Sequence, residues 1–125
     1  SKFKKNNFIF GYTKEKNYLS NNYININISN FKSKFSSSTK EYCNNIIIKA
    51  KKINFDIIEI HNRPKVFEYL RPKLKSKFIL YFHNDPLTMN GSISKNERIQ
   101  LLNSLEKIIF VSKWVRNRFF ENNDK

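Results

Sequence analysis

This 125-residue chain is poor in small residues: it has one cysteine (Cys43), two glycines (Gly11 and Gly91) and one alanine (Ala50). The lone cysteine excludes an internal disulfide and suits a reducing compartment, so a cytoplasmic protein is expected. Two distant glycines exclude both the GxGxxG dinucleotide fingerprint and the GxxxxGK[ST] phosphate cradle. No GxSxG elbow and no ordered Ser-His-Asp set is present either. No apolar run approaches the ~18 residues that span a bilayer, and the start lacks the apolar core of a signal peptide. With two histidines and no HxH or HExxH spacing, neither a metal site nor a resident cofactor is expected.

Acids are also scarce, with 10 Asp and Glu against 24 Lys and Arg, a net charge of +14. Lys, Asn and Ile dominate the composition, a skew that A+T-rich coding produces by itself, so the charge says less about nucleic acid than it usually would. Lysines run along the whole chain, from Lys2 to Lys125, rather than in one aromatic-interleaved stripe. A solvated basic surface is the first reading of that charge. An anionic membrane face comes second, which would make the protein peripheral at the inner face of a membrane, and a nucleic-acid site comes last.

The chain is near the common size of one domain, and its 12 Phe and 6 Tyr, together with many Ile, can fill a core. Phe8-Ile9-Phe10, closed by Gly11, and the alternating run Tyr23 to Ile28 read as strands, with a polar loop from Tyr12 to Asn22 between them. Ser38-Thr39-Lys40-Glu41 reads as a capping box opening a helix with Tyr42, Ile46, Ile47, Ala50 and Ile53 on its apolar face and Cys43 as a buried thiol. Pro64 starts a short helix carrying Val66, Phe67 and Leu70, and Pro72 ends it. Ser94 to Glu97 is a second capping box, before Ile99, Leu101, Leu102 and Leu105. Ser112 can cap a last helix with Trp114, Val115 and Phe119 inward. With near-continuous apolar strands at 56–60, 78–82 and 108–111, the order is β-α-β-α-β-α. Each crossover is long enough for a parallel connection. The expected fold is α/β, a Rossmann-like, doubly wound parallel sheet buried on both faces, in a single domain.

Two of these strands end alike, in His61-Asn62-Arg63 and His83-Asn84-Asp85. Strands consecutive in sequence are expected to be neighbours, so both ends face the ligand crevice at the carboxyl edge of the sheet. An imidazole there can bond a phosphate or sugar hydroxyl, or move a proton. Arg63, beside a helix start, is an anion partner or a surface ion pair. Lys113, Arg116 and Arg118 read as a solvated helix face. The loop Asp85 to Ile93 is the longest stretch without periodicity in this half, and Leu87 and Met89 would sit in a mobile lid or pack into the core.

Residues 56–64, 78–85 and 108–116, taken in that order, resemble the amino-terminal domain of GT-B glycosyltransferases of family four, over roughly residues 54 to 120. The resemblance implies metal-independent, retaining transfer of a sugar from a nucleotide-sugar co-substrate to a glycan or lipid-linked acceptor. His83 matches the strand-end histidine that faces the donor sugar and its phosphates, the position with a catalytic role. His61, Asn62 and Arg63 would lie on the acceptor side, with Asn84 and Asp85 beside them, and Ser112 and Lys113 match the segment leading to the hinge. That family's first strand with its glycine-rich loop is not recognisable here. Its carboxy-terminal donor-binding domain, with the E-x7-E motif, has no counterpart in the chain. The expectation is therefore an incomplete amino-terminal domain, inactive alone and dependent on a donor domain as partner.

Overall fold

The computed structural model describes residues 8–11, 23–25 and 38–121. Two three-residue strands, β1 (Ile9–Gly11) and β2 (Tyr23–Asn25), pair in parallel. The expected loop from Tyr12 to Asn22 and the continuation of β2 to Ile28 lie outside the described residues. Helix α1 (Ser38–Ile53) follows, then β3 (Ile57–His61), α2 (Pro64–Leu70), β4 (Lys77–Phe82), a single 3-10 turn at Pro86–Thr88, α3 (Lys95–Ser104), β5 (Lys107–Phe110) and α4 (Lys113–Phe119). Strands β3, β4 and β5 form a parallel sheet in sequential order.

Local chemistry sets the boundaries of these elements. Pro64 occupies the first turn of α2, where a missing N–H is harmless. The Ser94 hydroxyl accepts from the Glu97 N–H at 3.1 Å, and the Glu97 carboxylate accepts from the Ser94 N–H at 3.0 Å. This is the reciprocal cap expected for α3. Ser112 Oγ accepts from the Val115 N–H at 3.2 Å and starts α4. The other expected box differs: α1 already runs at Ser38, so Ser38 stands inside the first turn instead of preceding it.

All four helices feed one hydrophobic cluster. From α1 come Tyr42, Cys43 and Ile46, from α2 Val66, Phe67 and Leu70, from α3 Leu101, and from α4 Val115 and Phe119. They meet the sheet face that carries Ile60, Phe78, Leu80 and Phe82, with Leu80 and Phe82 at 0% exposure. Phe82, Phe110 and Phe119 pack with ring centroids 5.2 to 5.9 Å apart.

The opposite face of the sheet departs from expectation. By strand parity it carries Ile57, Glu59 and His61 on β3, Lys77, Ile79 and Tyr81 on β4, and Lys107 and Ile109 on β5. None of these is buried, and Ile57 is 55% exposed. The apolar runs looked like strands buried on both sides because Ile and Phe alternate with Ile and Tyr, and period two is then invisible. Four helical positions also differ. Trp114, Ile99 and Leu102 are exposed, and the buried line of α3 runs through Arg98 and Leu101. Ile53, expected on the apolar face of α1, is exposed at its end.

Candidate functional site

Parallel pairing of β3 with β4 sets His61 opposite Tyr81, so the two His-Asn ends emerge side by side at the carboxyl edge. The His61 Nδ1 and His83 Nε2 atoms are 2.8 Å apart, a bond in which one ring donates and the other accepts. The rings stack at 5.1 Å between centroids, and His61 also stacks on Tyr81 at 4.5 Å, tilted by 9°. The far nitrogen of His61, Nε2, lies 3.8 Å from the Glu59 carboxylate. The His61 side chain nevertheless keeps 51% of its surface exposed. The three rings form an open aromatic shelf with polar edges.

The adjacent amides lock that shelf in place. Asn62 adopts φ 57°, the left-handed region that Asn tolerates better than most residues. Its N–H still donates to the Tyr81 carbonyl at 2.9 Å, continuing the ladder beyond β3. Its side-chain Oδ1 accepts from the His83 N–H at 2.7 Å and the Asn84 N–H at 3.3 Å, while Nδ2 donates to Asn84 Oδ1 at 2.8 Å. The Asn62 carboxamide therefore serves as one more rung between the strands, and it satisfies backbone donors that would otherwise need water.

Beside this crest opens a cavity of about 300 Å³, near the lower end of ligand-pocket sizes. Arg63, Thr39, Tyr42, Met89 and Asn90 are among its walls. The Arg63 guanidinium lies over the Tyr42 ring at 5.4 Å from its centroid, and no hydrogen-bond acceptor engages it among the described residues. Gly91, at φ 100°, brings the loop backbone onto α2. A Cβ there would meet the Lys65 nitrogen at 2.8 Å, so only glycine allows this wall to close.

The other expected site residues separate from this group. Asp85 turns away to accept from two Arg118 nitrogens, Nη2 at 2.9 Å and Nε at 3.2 Å, and from the Leu87 N–H at 3.0 Å. The Arg118 hydrogen bond first, and the Leu87 N–H after it, hold the Asp85 carboxyl below its ordinary range. Asp85 is thus a loop anchor, and Arg118 an ion-pair partner rather than part of a solvated face. Ser112 spends its hydroxyl on capping α4, and Lys113 is exposed in the first turn of that helix.

The loop expected as a lid or a packed connection is tethered by polar groups. The Ser92 hydroxyl, fully buried, donates to the Pro86 carbonyl at 2.5 Å, and Arg98 Nη1 donates to the Ser92 and Ile93 carbonyls at 3.0 and 2.6 Å. Leu87 and Met89 end half-buried. Sequence reasoning missed Tyr81 as a member of the crest and weighed Glu59 beside the histidines only as a metal ligand. Strand parity signalled both, since they alternate with the buried positions and share a face with His61. It also missed Arg98, which has no such signal.

Among the described residues no group of three or more His, Cys, Asp or Glu is placed to hold a metal ion. A larger cleft of about 770 Å³ opens at the other end of the strands, far from the histidines. The crest is the better candidate for chemistry, because helices and loops meet the carboxyl ends of parallel strands and leave a crevice there. No helix among the described residues is long and apolar enough to cross a membrane. The chain matches no protein-family model, no curated protein and no solved structure.

Proposed function

We propose that this chain supplies the acceptor side of a retaining, GT-B-type glycosyltransferase, whose nucleotide-sugar is held by a separate donor domain. The observation that carries the reading is the His61–His83 pair, bonded at 2.8 Å on adjacent parallel strands and open to solvent. A sugar presents hydroxyls at its rim and weakly polar C–H faces. An aromatic shelf edged by imidazole nitrogens matches that pattern, and the Arg63 cavity beside it can take an anionic part of donor or acceptor. In this reading His83 bonds the transferring sugar or its phosphate, and His61 sets the tautomer of His83. Transfer needs no metal, so a chelator leaves turnover unchanged. A Rossmann-like, doubly wound sheet belongs to the same proposal, with further strands beyond β3.

The test joins the chain to its donor domain and measures sugar transfer. Replacing His83→Ala lowers turnover at least about a hundredfold, the usual cost of losing a positioned donor, while the circular dichroism spectrum is unchanged. Near-normal turnover in that variant refutes the assignment. Titrating the chain alone with saccharides, while following its two histidine C2–H resonances, gives an independent reading. Movement of those signals with sugars supports the acceptor role, and movement with simple polyanions only contradicts it.

A further inference from the structure

The geometry points to a second, separate surface: a four-lysine cleft at the amino ends of β3 and β4 that docks the chain onto an anionic phospholipid bilayer. This inference does not rest on sugar transfer, since the cleft shares no residue with the crest.

Lys51 at the end of α1 and Lys73, Lys75 and Lys77 around the start of β4 all line the 770 Å³ cleft. Lys73, Lys75 and Lys77 alternate along one segment, and the fold brings Lys51, 22 positions earlier, beside them. Each is exposed, and none has an acidic partner among the described residues. Asp56 is the only acid among the described residues of the lining. Among the described residues this surplus of cations has no counter-charge beyond Asp56, and it offers a face complementary to an anionic surface.

Three observations favour a lipid surface over nucleic acid. The cleft contains no arginine, so the planar fork that reads phosphodiesters and guanine is missing, whereas flexible ammonium groups suit a fluid plane of headgroups. Its aromatic residue, Phe55, is met edge-on by Phe8 and Phe10 at 5.7 Å each and is not free to stack a base. Ile57, 55% exposed and in register with Lys77, places an aliphatic side chain among the cations, the mixture that seats proteins at the headgroup boundary. Each lysine near an anionic leaflet adds about 1 kcal/mol, roughly fivefold in affinity. With the bilayer at the amino ends, the five residues of β3 hold the crest roughly 17 Å away, pointing outward.

Sedimentation with phosphatidylcholine vesicles, with and without phosphatidylserine, tests this on the full chain. Binding is expected only with phosphatidylserine and falls steeply with salt. The triple variant Lys73→Gln, Lys75→Gln, Lys77→Gln loses roughly a hundredfold. A matched variant at the opposite end, Lys95→Gln, Lys113→Gln, Arg116→Gln, loses less than tenfold. Ile57→Glu, a single exposed change, weakens binding without touching a lysine. Equal losses in the two triple variants would reduce the effect to diffuse net charge and overturn the proposal, as would undiminished binding to neutral vesicles. An oligonucleotide bound more tightly than vesicles, and released selectively by the first triple variant, would assign the cleft to nucleic acid instead.

Discussion

Burial of the Cys43 thiol, 1% exposed beneath α1, pushes it up from 9.0 to about 11, with the Arg63 charge acting the other way. The folded chain holds this proton more tightly than the unfolded one. The thiol's contribution to stability is therefore complete below pH 9 and is lost as pH rises toward about 11. In urea titrations the difference between wild type and Cys43→Ala should shrink over that interval, and a disulfide reagent at pH 8 should modify the native thiol far more slowly than the unfolded one. Asp85 behaves oppositely. Its carboxyl is held below the ordinary range by Arg118, so the ion pair stabilises the fold above about pH 4 and is lost as acid protonates Asp85. Asp85→Asn should lower the urea midpoint at pH 7, and the difference from wild type should shrink as the pH falls below about 4. The sequence already read Cys43 as a buried helical thiol, whereas Asp85 was expected beside the histidines. Cys43 could be placed because its neighbours repeat at helical spacing. The partner of Asp85 could not, because Arg118 is 33 positions away.

Among the elements, α2, the start of α3 and the start of α4 were legible because their signals are local: Pro64, the Ser94–Glu97 pair and Ser112 each act within one turn. The buried face of α3 was not. Arg98, 3% exposed, reaches the Ser92, Ile93 and Glu121 carbonyls, and that reach turns Ile99 and Leu102 outward. Three backbone acceptors leave no trace in a sequence, so nothing could have shown that a cation rather than an isoleucine would be inside. Arg98→Ala should cost roughly 2–4 kcal/mol, since it leaves buried carbonyls without donors. Amide exchange should quicken at Ser92, whose segment Arg98 holds, more than along β4. Unchanged exchange there would show that Ser92 and Gly91 suffice to hold the loop.

At the scale of the whole molecule, the sheet is asymmetric: helices cover the face of Leu80, while the face of Ile57 and Tyr81 meets solvent. Leu80→Ala, at a position with 0% exposure, should cost about 3–4 kcal/mol by equilibrium unfolding. Ile57→Thr, at 55% exposure, should stay within about 0.5 kcal/mol. Comparable costs would mean that the Ile57 face is packed in solution. The order of strands and helices from 56 to 120 could be read from periodicity, because alternating β and α segments leave few parallel arrangements. Which face would be covered could not, because both sides of β4 carry apolar residues.

The side-chain rung made by Asn62 has a further consequence for how the sheet assembles. Slipping β3 by one residue against β4 would move the His61 ring about 3.3 Å along the strand and turn it toward the helices. The two imidazoles can therefore touch only in the native register, and their contact works as a vernier on strand alignment. Refolding followed through the histidine resonances would time the moment at which β3 locks onto β4. Probes in the helical core would report collapse, whether or not the alignment is correct.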